Sequence, residues 1–456
     1  MKKIKSDRKL RGITMLLCLC LLAGGCAKPQ NVTGDSDTIS DSKKQSTRSE
    51  TTENSFINDS KETTEDTDPL PNNYEQAVAG AYKRSVLYAG SKEMRSALTT
   101  VLKKAESGQK IVFAALGDSI TFGAGAIPGG EWVSLVTEWL ENLDRNSSNK
   151  NVTLLNAGIG GTEAVYGAAR LERDVLSLHP DFVIVDFGTN DFGLPHGAEA
   201  YEGILTKLIS AGIPVINSNV CPRSGNNIQN EQLPINQAYG VPQVSFRSAY
   251  HELSEVTELE GLRANDLWTA DNVHPTQEGH RLLADLIIHF LNNDILSSEL
   301  PDDDISLKLP KSVTKNGFSD AVLIENTSSD SRISVHLGDG WTADYSANLE
   351  QIRSEGWQSS VIGSSITFTT NSAYFYVMYT RSKKSGNIEV RIDGELKETF
   401  TDAYNSIGYR GMSIARVVMY FDIPGEHTVT LTLSDNPATE KDWCGICAVG
   451  ASGFSS

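Results

Sequence analysis

Basic side chains are scarce in this 456-residue chain: Lys and Arg number 40 against 58 Asp and Glu, a formal net charge of -18. Residues 1–25 hold six basic side chains and one acid, so without them the balance falls to -23. Such a surface repels phosphate backbones and anionic headgroups, which argues against nucleic acid and anionic membrane surfaces as charge-driven partners. Cysteine is scarce too, at six. Cys18 and Cys20 fall in an N-terminal segment expected to be removed. Cys444-Gly-Ile-Cys447 has no second Cys pair and no βα surroundings, which argues against a zinc site or a redox motif. Buried thiols or a local disulfide remain for Cys444 and Cys447, and Cys221 is expected to pack near a sheet. The apolar run from Ile13 to Ala23 is too short to span a bilayer. No internal repeat appears, and no metal-ligand spacing or Gly-x-Gly-x-x-Gly fingerprint is present, so neither a metal nor an organic cofactor is expected.

What is present begins with an export signal. A basic segment (Lys2, Lys3, Lys5, Arg8, Lys9, Arg11) precedes the short apolar run, which ends in Gly24-Gly25-Cys26. The small residues before Cys26 resemble a bacterial lipobox, although Ala23 replaces the usual leucine. Cys26 is therefore the expected lipidation site, anchoring the mature protein to the outside of a bacterial membrane. Residues 26–73 are rich in Ser, Thr, Asp, Glu, Asn and Lys and hold too little apolar surface to order themselves, which predicts a disordered tether.

Apolar positions between Tyr74 and Glu106 recur at three and four residues, predicting two amphipathic helices broken near Gly90-Ser91. Then helical and buried-strand patterns alternate. Strands are expected at 111–116, 152–156, 181–187, 213–218 and 242–246, and helices near 131–144, 163–177, 198–210 and 277–292. That alternation predicts an α/β fold with a parallel sheet and right-handed crossovers. The stretch 219–240 reads as a long polar loop. After Leu300 the pattern changes to short alternating strands with turns such as Asp393-Gly394, predicting an all-β sandwich or jelly roll. The expected divisions are a signal at 1–25, a tether at 26–73, a helical segment at 74–109, an α/β domain at 110–300 and a sandwich at 305–456.

Four stretches carry chemistry. Ile111 to Leu116 is an unalternating apolar run, suited to a strand covered on both faces, and it ends in Gly117-Asp118-Ser119. Serine there points from the carboxyl edge of the sheet, where open α/β sheets bind ligands, but it is a weak nucleophile without a base. Asn156-Ala-Gly158-Ile-Gly160-Gly161-Thr162 is a Gly-rich strand-to-helix turn of the kind that holds an anion. Phe187-Gly188-Thr189-Asn190-Asp191 again follows a buried strand and offers the Asn190 amide to the same crevice. In Asp271-Asn-Val-His274-Pro275, the three-residue offset lets the Asp271 carboxylate reach the His274 ring. Ser119, His274 and Asp271 thus compose a candidate nucleophile, base and orienting group.

Together, in this order, the four stretches resemble the SGNH hydrolases, the GDSL-type esterases and lipases. The resemblance covers roughly residues 110–292 and implies a flavodoxin-like three-layer α/β/α domain. It implies Ser119 as nucleophile, His274 as general base and then acid, and Asp271 as its orienting partner. It also implies an oxyanion hole from the Ser119 backbone, Gly161 and Asn190, with Gly161 chosen because it lies five residues after Asn156. Asp118 and Asp191 are expected to hold turns through side-chain-to-backbone bonds. His179, His196, His251, His280 and His289 are expected on solvent or helix faces, with His196, which follows Asn190, the one exception to weigh for a place toward the substrate. Trp341, Trp357 and Trp443 suit either the sandwich core or stacking on sugar rings, with core the commoner use.

Export, tether and sandwich together lead to an expected surface-anchored serine esterase that removes O-acetyl groups from an extracellular polysaccharide. Lipid-ester hydrolysis, acyl transfer to a sugar hydroxyl, and an inert carbohydrate-binding lipoprotein are the alternatives.

Overall fold

The computed structural model describes residues 15–16, 74–144, 150–255, 267–297, 306–349, 352–382, 384–400, 412–421, 425–437 and 442–455. Cys26 and the expected tether lie outside the described residues. The two-residue strand β1 (Met15–Leu16) pairs antiparallel with residues 418–419.

Helix α1 (Tyr74–Ser85) runs into a short strand, β2 (Val86–Tyr88), and α2 (Lys92–Glu106) follows under an N-cap from Ser91. Strands β3 (Ile111–Gly117), β4 (Val152–Gly158), β5 (Phe182–Asp186), β6 (Val215–Asn219) and β7 (Gln243–Ser245) then alternate with helices. These are α3 (Ser119–Phe122), α4 (Trp132–Glu141), α5 (Ala164–Asp174), α6 (Gly197–Ser210), α7 (Gln229–Tyr239), α8 (Phe246–Glu255) and α9 (Gln277–Phe290). The sheet order is β2-β7-β6-β5-β3-β4, with β3 to β7 parallel and β2 antiparallel at the edge. In sequence order its parallel strands read 2-1-3-4-5, the flavodoxin-like winding, whose crevice opens between the first and third strands. That switch point is β3 beside β5, where Ser119 and Asn190 emerge. The apolar runs fit the burial: all five residues of β5 and of β6 are buried, as a sheet covered on both faces requires.

Among the elements that differ from expectation, two stand out. The polar stretch 219–240 contains helix α7, despite Pro234 inside it. Its inward residues include the amides Gln229, Gln232 and Asn236, so apolar periodicity is missing from a helix that is nonetheless packed. Asn219 Nδ2 donates to Gln232 Oε1 at 2.5 Å, and Gln232 Nε2 donates to the Phe187 carbonyl at 2.9 Å. Val86–Tyr88, read as helical, is instead the edge strand beside β7.

From Val322 the described residues are all β: β8 (Val322–Ile324), β9 (Ile333–Leu337), β10 (Trp341–Leu349), β11 (Ile352–Ser359), β12 (Ser365–Thr370), β13 (Ser372–Ser382), β14 (Asn387–Ile392), β15 (Glu395–Phe400), β16 (Met412–Tyr420), β17 (His427–Ser434) and β18 (Cys444–Phe454). One antiparallel sheet runs β16-β13-β18-β11-β10, with β8 on β18, and the other runs β15-β14-β17-β12-β9. Their facing side chains, among them Phe375 and Val377 from one and Phe368 and Leu431 from the other, form one core, so the pair is a sandwich. Asp393 and Gly394 join β14 to β15 with φ of 51° and 81°, the left-handed pair that a two-residue hairpin needs. Trp341 and Trp357 are buried in that core rather than presented to solvent.

Candidate active site

Strands β3, β4 and β5 end in line: Gly117 lies level with Gly158 on one side and Asp186 on the other. Chain turns leaving these three ends are thereby brought to one edge. Gly158 has a structural reason to be glycine, since a Cβ there would stand 2.2 Å from the Phe122 backbone nitrogen. Without that side chain α3 settles onto the end of β4. Asp118 caps α3, its Oδ1 accepting from the Ile120 N–H at 2.8 Å.

His274 Nε2 lies 2.9 Å from Ser119 Oγ, although 155 residues separate them in sequence. Its Nδ1 lies 2.6 Å from Asp271 Oδ2. The loop that presents both is internally braced. Asp271 Oδ1 accepts from Thr269 Oγ1 at 2.7 Å and from the backbone N–H groups of Val273 and His274 at 2.8 and 3.0 Å. Partial burial pushes the Asp271 carboxyl up, but the bonds from His274, Thr269 and the two N–H groups outweigh it and hold the group well below the usual carboxylate range. An ionised Asp271 accepting from Nδ1–H leaves Nε2 as the basic nitrogen facing Ser119. Asn272 makes this tight turn in the left-handed region, at φ 59°, and its backbone and side-chain oxygens accept from the Arg223 N–H and guanidinium at 2.9 and 3.2 Å.

Gly161 turns in the left-handed region at φ 65°, just before Thr162. The Asn190 carboxamide ties the three turns together: Nδ2 donates to Asp118 Oδ2 and to the Thr162 carbonyl, each at 3.0 Å. Asp191 Oδ1 accepts from the Ala164 N–H at 2.9 Å, holding the same turn to the start of α5. Burial drives the Asp118 carboxyl well above its ordinary range, with neighbouring Asp186 adding to the effect. Burial likewise pushes Asp191 up to about 7. Asp118 thus does more than the turn-holding expected of it, since it also anchors Asn190.

Three contributors were not anticipated. Arg170 is fully buried, and its Nη2 donates to the Gly117 carbonyl at 2.9 Å while Nη1 meets Asp174 at 3.0 Å. A lone arginine on an amphipathic helix carries no signal for that. Gln232, described above, supports the carbonyl of Phe187 just ahead of the Asn190 turn. His280, expected on a solvent or helix face, is fully buried; its Nδ1 accepts from the Trp132 N–H at 3.4 Å and its Nε2 bonds the Ala124 carbonyl at 3.0 Å. His196 does not join the triad. Its ring sits among Tyr420, Tyr374 and Phe318 of the C-terminal part, at centroid distances of 4.5, 5.1 and 6.3 Å. Cys221, Cys444 and Cys447 are buried free thiols, and among the described residues no group of His, Cys, Asp and Glu side chains is arranged to hold a metal.

A model of the GDSL-like lipase/acylhydrolase family matches residues 115–282, the span that holds all four turns. The chain carries a GDSL/SGNH acylhydrolase domain and is a serine esterase. An acetylxylan esterase of Geobacillus stearothermophilus is 28% identical over 214 residues, 40% of this chain and 93% of that protein. A lipoprotein of Bacillus subtilis (strain 168), YqeF, is 32% identical over 78 residues, about a third of its own length. Among solved structures, a two-domain esterase active on acetylated mannans superimposes with a TM-score of 0.70 at 26% identity, covering 82% of this chain and 99% of that one. The same kind of two-domain esterase co-crystallised with mannopentaose gives 0.68 at 27% identity. The likeness therefore takes in the sandwich as well as the esterase layer.

Proposed function

We propose that this esterase removes O-acetyl groups from an extracellular polysaccharide, by a Ser-His-Asp mechanism through an acyl-enzyme. The observation that carries the mechanism is the Ser119–His274–Asp271 chain of contacts at 2.9 and 2.6 Å. The substrate class rests on the two-domain likeness, which spans 82% of the chain and makes an acetylated mannan the first polymer to try.

In this reading Ser119 Oγ attacks the acetyl carbonyl carbon as His274 Nε2 takes its proton. Asp271 keeps the ring oriented and stabilises the imidazolium. The negative charge on the former carbonyl oxygen is met by the N–H groups of Ser119 and Gly161 and by the Asn190 amide, a class of donor each worth about 3 kcal/mol of barrier. For Asn190 to serve, its amide gives up or shares one of its two present acceptors. The C–O bond to the sugar then breaks, and His274 returns the proton to the departing hydroxyl. Water, deprotonated by the same nitrogen, releases acetate and restores Ser119. Export and lipidation at Cys26 would place this chemistry on the cell surface, where a polymer too large to enter is within reach.

Acetate release from a panel of acetylated mannans, xylans and pectins by the chain from residue 74 onward tests the substrate. Release from one class, abolished to below about a thousandth by Ser119→Ala, is the expected result. A strong preference for octanoyl or longer esters would instead favour lipid esters, and no turnover of any acyl ester would remove the mechanism.

A further inference from the structure

The turns assigned above to the oxyanion hole both lean on the β-sandwich. In the first, Ile159, one residue after β4, is buried in a cluster with Tyr166 of α5 and with Tyr345, Met378, Cys447 and Ala448 of the sandwich. In the second, the turn 187–196 carries Asn190 and ends at His196, which stands at φ 67° as the cap of α6. A left-handed conformation costs a residue with a side chain on the order of 1–2 kcal/mol, so the surroundings must impose it. They do so here with the three aromatic rings named above and with a carboxylate. Glu199 Oε2 lies 2.8 Å from His196 Nδ1, and Glu199 also accepts from the Gly317 N–H at 3.0 Å and from the Tyr374 hydroxyl at 3.3 Å.

The same face of α6 is held at every turn by the segment that leads into the sandwich. Glu202 accepts from the N–H groups of Val313 and Thr314 at 2.6 and 2.7 Å. Thr206 Oγ1 accepts from Asn316 Nδ2 at 3.0 Å, and Lys207 Nζ donates to the Ala321 carbonyl at 2.6 Å. Residues 199, 202, 206 and 207 share one helix face, so α6 is clamped along its length, and its N-terminal end is the far end of the Asn190 turn.

We infer that the β-sandwich positions the oxyanion hole: Tyr374 and its aromatic neighbours, acting through His196 and Glu199, hold the turn that presents Asn190, while Met378 and Tyr345 back the Gly161 turn through Ile159. Tyr374, His196 and Glu199 are positioning residues, acting through the Asn190 turn. The inference rests on the oxyanion roles proposed for Asn190 and Gly161. Its physical basis is the steep dependence of such sites on geometry, where a displacement of about 1 Å costs on the order of a hundredfold.

The test is a kinetic cycle in the full chain on an aryl acetate. Tyr374→Leu removes the ring and hydroxyl at the seam, and is expected to lower kcat about tenfold with KM within about twofold. Tyr374→Phe, which keeps the ring, is expected to recover most of that loss. In an Asn190→Ala background, Tyr374→Leu is expected to add less than about a twofold loss, because the group it positions is gone. A wild-type kcat for Tyr374→Leu, a loss confined to KM, or a loss that multiplies in full with Asn190→Ala overturns the inference. Asn190→Ala alone examines the underlying reading: a loss of less than about tenfold removes that reading, and the inference with it. A full Asn190→Ala loss beside an unaffected Tyr374→Leu removes the inference alone. If Tyr374→Leu fails to fold, His196→Gln supplies the same cycle from the other side of the contact.

Discussion

The two sheets of the sandwich are buried in different ways. In the outer sheet β12, β14 and β17 alternate strictly between buried and half-buried positions, as befits a sheet with one face on a core and one toward water. In the inner sheet β13 is buried at every position but Ala373, and β18 through its first nine residues. The second face of the inner sheet is covered because it lies against the esterase layer: Tyr374 and Tyr376 of β13 join the core of the α/β sheet, while Phe375 and Val377, which alternate with them, belong to the sandwich core. A β-module that merely accompanied the enzyme would be expected to leave that face wet. Here one strand serves two cores, and the boundary between the parts is itself a hydrophobic interior.

The largest consequence of that difference is reached by deletion. Removing residues 305–456 bares the α5 and α6 faces and strips Glu202 of its backbone donors, so the remaining chain is expected to be insoluble or inactive on a small aryl acetate. A soluble truncated protein with wild-type turnover would break the comparison outright. A pair of matched point changes sharpens it. Met378 is buried on the docking face of β13, and Met378→Asp is expected to destabilise by about 4 kcal/mol, from lost packing together with a desolvated carboxyl. Thr367 lies on the open face of the outer sheet, its hydroxyl 3.0 Å from that of Thr430, and Thr367→Asp is expected to cost at most about 1 kcal/mol. Denaturant midpoints measure both, and equal losses would mean that the inner sheet is no more enclosed than the outer.

The esterase layer was legible because its signals are local. The run Ile111–Leu116 declares a covered strand, and each chemical turn occupies a few consecutive residues, so order and spacing were enough to propose Ser119, Asp271 and His274 together, while the oxyanion roles of Gly161 and Asn190 came forward only through the family resemblance. What escaped were the supporting contacts between residues distant in sequence. Asp118 to Asn190 spans 72 positions, Arg170 to Gly117 spans 53, and Gln232 to Phe187 spans 45. Helix α7 escaped for another reason, since its inner face is amide rather than apolar and the helical period is carried by residues that usually mark loops. The inner sheet gave a partial clue in the nearly continuous apolar run Tyr374–Tyr379, which reads as doubly covered, but nothing in it says by what. His196 illustrates the same limit: nearness to Asn190 suggested substrate, whereas its neighbours come from residues 318, 374 and 420.

The smallest effect separates the covered and open sides by the sign of their pH dependence. Asp191 is enclosed behind the Asn190 turn, where burial raises its carboxyl to about 7. A carboxyl raised in the folded state binds more protons there than in the unfolded chain, so it lowers stability progressively as pH rises from its ordinary value near 4 toward 7, after which the penalty is constant. Asp191→Asn keeps an acceptor for the Ala164 N–H and removes that charge. It is expected to raise the thermal midpoint little at pH 5 and by several degrees at pH 8, taking roughly 2–4 °C per kcal/mol for a unit of this size. Asp393, at the outer hairpin, behaves in the opposite sense. Its modest desolvation is outweighed by bonds from the Thr428 N–H and from His427, which hold its carboxyl below the ordinary range. Its contribution is present above the unfolded value and lost as pH falls through the folded one, so Asp393→Asn is expected to lower the midpoint slightly at neutral pH and not at all in strong acid. Midpoints that moved in the same direction with pH for both substitutions would show that the two carboxyls do not sit in the opposed environments that distinguish the covered side from the open one.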